Sequence, residues 1–281
     1  MRRASTCLAV LGLAALGLPG VVSAEPVARI KSFKAKAVPI PKPGGGVWPK
    51  TGNCFGCGAA VEAEYQIEGT GYGILPSLPA GGIPPISAVN FYLPAGVKLH
   101  PQGFGTCTEA TLKNSGAGGC KPGSVASPVG SAEGEVTLES EGKAERVPEK
   151  TTLQAFFAPG GGVLFFTKGV TPILLEVIAS GKYVNSHKPP YGEELKTLVP
   201  AVPTLPGAPL ASVKTIKIKA GAAIKKGKTL ISYGTLPKKC PKGGFPVKTE
   251  VVFGGMFGGE REFGIPPQTV EATFRAPCPK H

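Results

Sequence analysis

Two cysteines near the N-terminal end of the chain have the spacing of a reactive thiol pair. Cys54-Phe55-Gly56-Cys57 is a C-x-x-C motif, in which a thiol of low pKa can attack a disulfide and its neighbour can resolve the product. Thioredoxin-like proteins place this motif at the start of a helix, whereas here it lies among glycines, and zinc would need two further ligands. The context favours a small structural disulfide, with thiol redox chemistry as the alternative. No metal site and no cofactor are predicted.

Glutamates spaced two residues apart are the other candidate for chemistry. Glu62 with Glu64, and Glu260 with Glu262, would lie about 7 Å apart along a strand, so that either pair could flank a glycosidic bond. Such an enzyme also needs a cleft, one carboxyl of raised pKa and aromatic side chains that stack on sugar. Because apolar residues alternate with Glu62 and Glu64, these glutamates are predicted to lie on a solvated face. Cleavage of extracellular glycans is therefore kept as an alternative function.

Histidine-dependent hydrolysis is not indicated. The chain contains no aspartate, and its three histidines are His100, His187 and His281. A catalytic triad needs a histidine oriented by a carboxylate, and no Gly-x-Ser-x-Gly sequence is present to expose a serine nucleophile. No residue is therefore predicted to be catalytic.

The first 24 residues have the composition of a secretion signal. Arg2 and Arg3 precede an apolar stretch, and Val22-Ser23-Ala24 is a small-x-small cleavage sequence. Gly and Pro interrupt the apolar stretch, which is too short for a spanning helix, so residues 1–24 are predicted to be removed. No later segment is apolar enough to cross a membrane. We expect a secreted or cell-surface protein.

Six cysteines follow the signal, and an even number suits an oxidising compartment. They fall into three local pairs, although six cysteines allow other connectivities. The predicted disulfides are Cys54–Cys57, Cys107–Cys120 and Cys240–Cys278.

Positive charge is carried almost entirely by lysine. Removing Arg2 and Arg3 lowers the formal charge from +13 to +11, and only four of the remaining 29 basic residues are arginine. Specific contacts to bases and phosphates favour the two-pronged guanidinium group, so no specific nucleic acid is predicted as a partner. Diffuse lysine charge fits either solubility or loose attraction to anionic cell-envelope polymers.

The chain beyond the signal divides by composition. Residues 25–57 are rich in Lys, Pro and Gly and are predicted to be a flexible linker. In residues 58–281 the apolar residues recur with a period of two, which indicates strands. The predicted strands are Val61 to Glu68, Ile86 to Leu93, Glu135 to Glu139, Thr152 to Phe157, Val163 to Thr167, Ile173 to Ala179, Val213 to Lys219, Thr229 to Tyr233, Val247 to Phe253 and Thr269 to Phe274.

These strands predict both a core and a fold class. Inward residues such as Tyr65, Phe91, Leu164, Ile216 and Ile218 are expected to be buried. The acidic row of Val61 to Glu68 is expected to face lysines on a neighbouring strand. Many short strands with frequent turn signals predict an all-β protein, an antiparallel β-sandwich.

One short helix is predicted within the sandwich. Thr106-Cys107-Thr108-Glu109 has the form of a capping box, and Gly116 ends the helix. A bridge from Cys107 to Cys120 would clamp it.

An internal echo bears on the number of domains. Gly82 to Gly96 and Gly207 to Gly221 share Gly, Pro, Ser and Ala at matching places. This internal similarity has two explanations. Either the domain consists of two related halves, about 58–200 and 201–281, or similar edge-strand sequences arose twice independently.

Several short runs carry a resemblance to known proteins. They are Leu93-Pro94-Ala95-Gly96, Gly103-Phe104, Cys107-Thr108-Glu109-Ala110-Thr111-Leu112, Gly119-Cys120 and Pro237-Lys238-Lys239-Cys240. Together they resemble a family of uncharacterised secreted β-rich proteins of high-GC Gram-positive bacteria, over roughly residues 60 to 278. The resemblance implies an exported β-rich protein and transfers no catalytic residue. The expected function is a binding or structural role at the envelope or outside the cell.

Overall fold

The computed structural model describes residues 25–279, so the predicted signal at residues 1–24 lies outside the described residues. Within residues 25–279 the chain forms one α-helix, α1 (Glu109–Ser115), three single 3-10 turns and seventeen strands. The strands are Val27–Val38 (β1), Ala60–Thr70 (β2), Ile86–Pro94 (β3), Lys98–Leu99 (β4), Gly130–Ser140 (β5), Lys143–Phe157 (β6), Val163–Gly169 (β7), Leu175–Asn185 (β8), Tyr191–Leu198 (β9), Ser212–Ala220 (β10), Ala223–Lys226 (β11), Thr229–Ser232 (β12), Gly234–Thr235 (β13), Phe245–Phe253 (β14), Met256–Phe257 (β15), Arg261–Glu262 (β16) and Gln268–Ala276 (β17).

Eleven of the described strands form a single sheet in the order β1-β2-β10-β5-β6-β7-β8-β9-β3-β14-β17. Every neighbouring pair is antiparallel, so the two edge strands, β1 and β17, run in the same direction. The two edges meet through Gln268, whose side-chain amide accepts the N–H of Ala28 at 2.9 Å and donates to the Ala28 carbonyl at 3.0 Å. The sheet is therefore nearly closed and barrel-like, and we call it the barrel.

Alternation of side chains gives each strand one inward and one outward face. In β2, Tyr65 and Ile67 are buried in the barrel, whereas Glu62 and Glu64 point outward and are partly exposed. The sequence predicted this orientation, and the structure confirms it.

The outward glutamates of β2 are paired with lysines on both neighbouring strands. Lys36 of β1 and Lys219 of β10 lie opposite Glu62, at 2.7 and 3.1 Å from its carboxylate. Lys217 lies opposite Glu64, at 3.4 Å. The predicted pairing of the acidic row with lysines is confirmed, and it satisfies charges on the outside of the barrel.

The flexible linker predicted for residues 25–57 is wrong where β1 begins the barrel. β1 pairs with β2 along its length, and Phe33 and Ala35 are buried in the core. The Phe33 ring lies 5.0 Å from that of Tyr65. Lysines occupy the outward positions of β1, so its composition resembles a linker although its inward face is apolar.

The segment between β1 and β2 is irregular and is fixed by local contacts. Ile40 is fully buried, and its N–H donates to the Thr51 hydroxyl at 3.0 Å. The same hydroxyl donates to the Trp48 carbonyl at 2.7 Å. These bonds fix the segment internally, and the Gly56 N–H ties it to a later loop by donating to the Pro237 carbonyl at 3.2 Å.

The all-β, antiparallel prediction is confirmed, but the sandwich is not. The strands close on themselves in one sheet instead of stacking as two sheets. The two predicted halves, about 58–200 and 201–281, are interleaved in that sheet, because β10 lies between β2 and β5 while β14 lies beside β3. The barrel is also incomplete without β1, which precedes the predicted start of the domain at residue 58.

The predicted helix is present, with a different cap. Thr108 is the N-cap, because its hydroxyl accepts the N–H of Thr111, and Gly116 ends α1 at a positive φ of 61°. Glu109 is therefore the first residue of α1, whereas a capping box that begins at Thr106 would make it the third. Leu112 is fully buried and packs with Phe156 on the outer face of the barrel.

The six cysteines of the described chain lie at disulfide distance in the three predicted pairs. The Cα–Cα separations are 5.5 Å for Cys54 and Cys57, 5.4 Å for Cys107 and Cys120, and 6.0 Å for Cys240 and Cys278. These separations lie within the range of natural disulfides. Cys107 and Cys120 lie on either side of α1, so a bond between them would clamp the helix.

Helices contribute little to this structure. Among residues 25–279 no helix combines the length and the apolar character needed to cross a membrane.

Candidate functional site

The interior of the barrel contains a cavity of about 320 Å³. Residues from most strands of the barrel line it, and most of them are apolar. Representative lining residues are Val89, Phe91, Val177, Leu195, Ile216 and Ile218. These residues point into the barrel and are only partly buried, because they border empty space instead of packed neighbours.

The volume of this cavity is in the range that small molecules occupy. Ligand pockets in proteins usually measure about 300 to 1,000 Å³ and are lined mainly by apolar side chains with a few polar groups. A cavity of about 150 Å³ lined by Leu, Ile and Phe is already large enough for benzene. The barrel can therefore hold a small apolar molecule, larger than one aromatic ring.

Aromatic side chains close one end of the cavity. The ring of Tyr233 stacks on that of Phe157 at 4.3 Å, and Phe104 meets both rings edge-on at 5.0 and 5.4 Å. Burial raises the pKa of the Tyr233 hydroxyl to about 12. This end is apolar, rigidly packed and uncharged at neutral pH.

Glu149, the most deeply buried of the glutamates that line the cavity, lies near the other end. It belongs to the inward row of β6 together with Thr151 and Leu153, and it is only 2% exposed. One carboxylate oxygen, Oε2, accepts the N–H of Ile173 at 3.4 Å. The other, Oε1, is one of two buried side-chain polar atoms in the described chain that have no hydrogen-bond partner. Glu149 is thus the polar group most completely enclosed at the cavity.

Gly169 makes room for the Glu149 carboxylate. It lies on the inward row of β7, and a Cβ at this position would collide with Oε1 of Glu149. A side chain at residue 169 would therefore displace the carboxylate from its place. The position of the Glu149 carboxylate therefore depends on a glycine at residue 169.

The turn that follows Gly169 carries exposed apolar side chains. Val170 is 68% exposed and Leu174 is 74% exposed, and both flank Ile173, whose backbone contacts Glu149. Exposed apolar side chains are common on protein surfaces, so the exposure of these two side chains does not by itself indicate a function. They surround the end of the cavity that carries the glutamate.

The C-x-x-C motif lies away from this cavity. Cys54 and Cys57 are half-buried in an irregular turn, and neither begins a helix. The context that a thioredoxin-like thiol uses is therefore not present at this motif. Its surroundings agree with a structural bond between the two cysteines.

The glutamate pairs do not form a catalytic cleft. Hydrogen bonding from Lys36 holds the pKa of the Glu62 carboxyl below its ordinary value, with Lys219 acting in the same direction against the effect of burial. A general acid would need the opposite shift. Glu260 and Glu262 are exposed on the hairpin of β15 and β16.

The two histidines of the described chain, His100 and His187, do not line the cavity. His187 is exposed in the loop between β8 and β9. The Nε2 atom of His100 lies 3.4 Å from the Thr235 hydroxyl. His281 lies outside the described residues. No group of three or more His, Cys, Asp or Glu side chains within residues 25–279 has the arrangement of a metal site.

A cluster of charged groups covers part of the outer surface of the barrel. The Glu250 carboxylate accepts hydrogen bonds from the Tyr92 hydroxyl at 2.7 Å and from Lys188 at 2.7 Å, and Lys248 lies 2.8 Å away. Lys248 also pairs with Glu271 at 2.8 Å. Burial alone would raise the pKa of the Glu250 carboxyl, but these hydrogen bonds outweigh it and hold the pKa well below its ordinary value. The groups satisfy one another, which indicates a structural role.

A basic cleft lies beside the C-x-x-C turn. It is lined by Lys42, Lys50, Lys225, Lys228 and Trp48, and its volume is about 760 Å³. The Lys42 ammonium lies 5.3 Å from the centre of the Trp48 ring, a cation–π contact. No acidic residue lines this cleft, so its charge is positive.

Sequence reasoning missed Glu149. Val147, Glu149, Thr151 and Leu153 form one row of a strand, and a glutamate in an apolar row is a signal that could have been read. The predicted strand begins only at Thr152, and Pro148, which has no N–H to donate to a neighbouring strand, makes a longer strand hard to recognise from the sequence. β6 in fact begins at Lys143 and passes through the proline.

The comparisons with known proteins gave no match. No family model matches this sequence, and neither a curated protein nor a solved structure is significantly similar to it.

Proposed function

We propose that this is an exported protein that holds a small apolar molecule inside its barrel. The observation that carries the proposal is the apolar cavity of about 320 Å³. Burial of apolar surface would supply the binding free energy, because each square ångström removed from water contributes about 25 cal/mol. For the two enzymatic alternatives, glycan cleavage and thiol redox chemistry, the described residues do not form a site of matching chemistry.

Export is part of the same proposal. Its support is the signal-like sequence of residues 1–24 and the three cysteine pairs at disulfide distance, which suit an oxidising compartment. A membership in the secreted family that the sequence resembles would agree with it.

Binding can be tested with an apolar fluorescent probe such as N-phenyl-1-naphthylamine. Val177 and Val184 lie on β8, with Val177 lining the cavity and Val184 on the opposite face of the strand. Val177→Phe fills part of the cavity and should weaken probe binding by about tenfold or more, equivalent to about 1.4 kcal/mol. Val184→Phe is the matched control and should bind as the unmodified protein does. Equal binding by the two variants, or no binding by the unmodified protein, would contradict the proposal.

A second role, adsorption to anionic cell-envelope polymers, is favoured by the basic cleft. Four lysines line it without an acidic residue, and opposite charges attract over about 10 Å at moderate ionic strength. Lys225→Ser with Lys228→Ser should weaken retention on isolated envelopes at low salt. Lys143→Ser with Lys182→Ser removes the same charge elsewhere and should leave retention unchanged. If both double variants are retained equally, the lysines act only on solubility.

A further inference from the structure

Glu149 gives the barrel cavity a chemical polarity. The aromatic end is apolar, whereas the opposite end contains a buried carboxylate oxygen that has no hydrogen-bond partner and lies against Gly169. A molecule that fills the cavity therefore meets two different environments. This asymmetry constrains its chemistry as well as its size.

The unpartnered oxygen is a hydrogen-bond acceptor. Glu149 is 2% exposed, so bulk water does not reach it freely, and the only donor that the structure provides is the Ile173 N–H, on the other oxygen. The neighbouring Thr151 hydroxyl does not supply a bond, because it donates to the Ala132 carbonyl at 2.9 Å. A buried acceptor left unpaired is unfavourable, and a group that pairs with it gains that free energy.

No lysine on the described strands next to Glu149 points into the barrel toward its carboxylate. Lys150 and Lys168, the lysines nearest to it on β6 and β7, lie on outward positions. Lys168 pairs with Glu176 at 2.8 Å outside the barrel. The interior therefore lacks a protein cation to balance the glutamate, within the part of the chain that the structure describes.

We propose that the cavity selects an amphiphile with an alkyl chain of medium length and a single hydrogen-bond donor, a hydroxyl or an ammonium group. The donor would bind Oε1 of Glu149, and the chain would extend toward Phe157 and Tyr233. This inference rests on the proposed function, because it requires that the cavity be occupied. The volume of about 320 Å³ favours a medium-length chain over a long-chain lipid.

Ligand displacement measures the donor preference directly. Decanol and its methyl ether have nearly the same apolar surface, but only decanol can donate a hydrogen bond. Decanol should displace the bound probe about tenfold more effectively than the ether, and decylamine at least as well as decanol. Decanoate should displace it least, because its carboxylate faces another carboxylate.

Two variants of Glu149 test the assignment. Glu149→Leu should remove the preference for decanol over the ether and leave binding of the ether unchanged or tighter. Glu149→Gln keeps an acceptor of the same shape without the charge, so it should retain the preference for decanol and lose that for decylamine. Glu139→Gln, an exposed acid on β5, is the control and should behave as the unmodified protein does.

The outcomes separate this inference from the proposed function. If the unmodified protein binds decanol and the ether equally, or binds decanoate most tightly, Glu149 does not select a donor, although the cavity still binds apolar molecules. If Glu149→Leu fails to fold, the ratio of amine to alcohol binding in Glu149→Gln decides the matter. An unchanged ratio in Glu149→Gln would overturn the inference. Absence of probe binding in every protein contradicts the proposed function itself.

Discussion

Single side chains on the outside of the barrel are stabilised by charge. Glu250 is the clearest case, because two lysines and a tyrosine donate to it while its side chain is only 9% exposed. A carboxyl whose pKa is depressed in the folded state stabilises the protein above its ordinary pKa. This contribution is lost as the pH falls toward the lower pKa of the folded protein.

Glu250→Gln should therefore lower the free energy of unfolding by about 2 kcal/mol at neutral pH, since hydrogen bonds to charged groups contribute about 1.5 to 3 kcal/mol. The difference from the unmodified protein should shrink as the pH falls below the ordinary carboxyl pKa of 4.5. Urea titrations at several pH values would measure it. Glu176→Gln, which breaks an exposed ion pair with Lys168, should cost less than about 1 kcal/mol at any pH. A constant difference across the pH range would argue against this account of Glu250.

Strand by strand, the seam between β1 and β17 is the weakest junction of the barrel. The two parallel edge strands meet there without a continuous row of backbone hydrogen bonds. The side-chain amide of Gln268 instead donates to and accepts from the backbone of Ala28. Gln268→Ala removes both bonds to Ala28. It should cost about 1 to 3 kcal/mol, from about 0.5 to 1.5 kcal/mol per bond.

Hydrogen exchange would locate this effect. Gln268→Ala should increase exchange of the amides of β1 more than that of central strands such as β6. Thr269→Ala, at the next and outward position, should change neither stability nor exchange. Uniform destabilisation of every strand would show that the seam is not a separate weak point.

The short helix α1 should depend on a bond between Cys107 and Cys120. With seven residues it is too short to be stable alone, and a disulfide that closes a loop of this size contributes about 3 kcal/mol in the loop-entropy estimate. Replacing both cysteines by alanine should lower the free energy of unfolding by about that amount. The same change at Cys54 and Cys57 should cost less, because the loop is shorter. Non-reduced peptide mapping that joined Cys120 to Cys240 would contradict the pairing.

The sequence predicted strands better than the way they assemble. All ten predicted strands overlap strands of the structure, because alternation is a local signal. β1 was missed because its lysines masked a row of small apolar residues. Closure of the sheet depends on contacts between residues at the two ends of the chain, such as Ala28 and Gln268, and no local pattern encodes them.

Burial was predicted with mixed success for a related reason. Tyr65 is buried in the barrel as expected. Leu164 is also buried, but on the outer face, where it packs with α1. Ile216 and Ile218 are inward and only partly buried, because they border the cavity. Alternation predicts which face a residue occupies and not whether that face is filled.

The barrel as a unit needs its first strand. Deleting residues 25–38 would expose the edge of β2 and remove Phe33 from the core. The shortened protein should lose cooperative unfolding and form aggregates, since an unpaired strand edge templates association. Gel filtration and thermal melts would show this.

A charge-only variant separates the strand from its lysines. Replacing Lys31, Lys34 and Lys36 by serine keeps the inward face of β1 and should leave a folded, monodisperse protein with the apolar cavity intact. If the deletion variant instead folded and bound the probe normally, β1 would be dispensable.

The meeting of β1 with β17 also has a consequence for the order of synthesis. The barrel strand made first and the barrel strand made last are neighbours, so a growing chain cannot complete the barrel until β17 has been made. Until then the apolar row of β1 has no β17 beside it, and the cavity has an open side. We therefore expect the barrel to close only after β17 has been made, whereas a sheet whose neighbouring strands are all consecutive could form as the chain emerges.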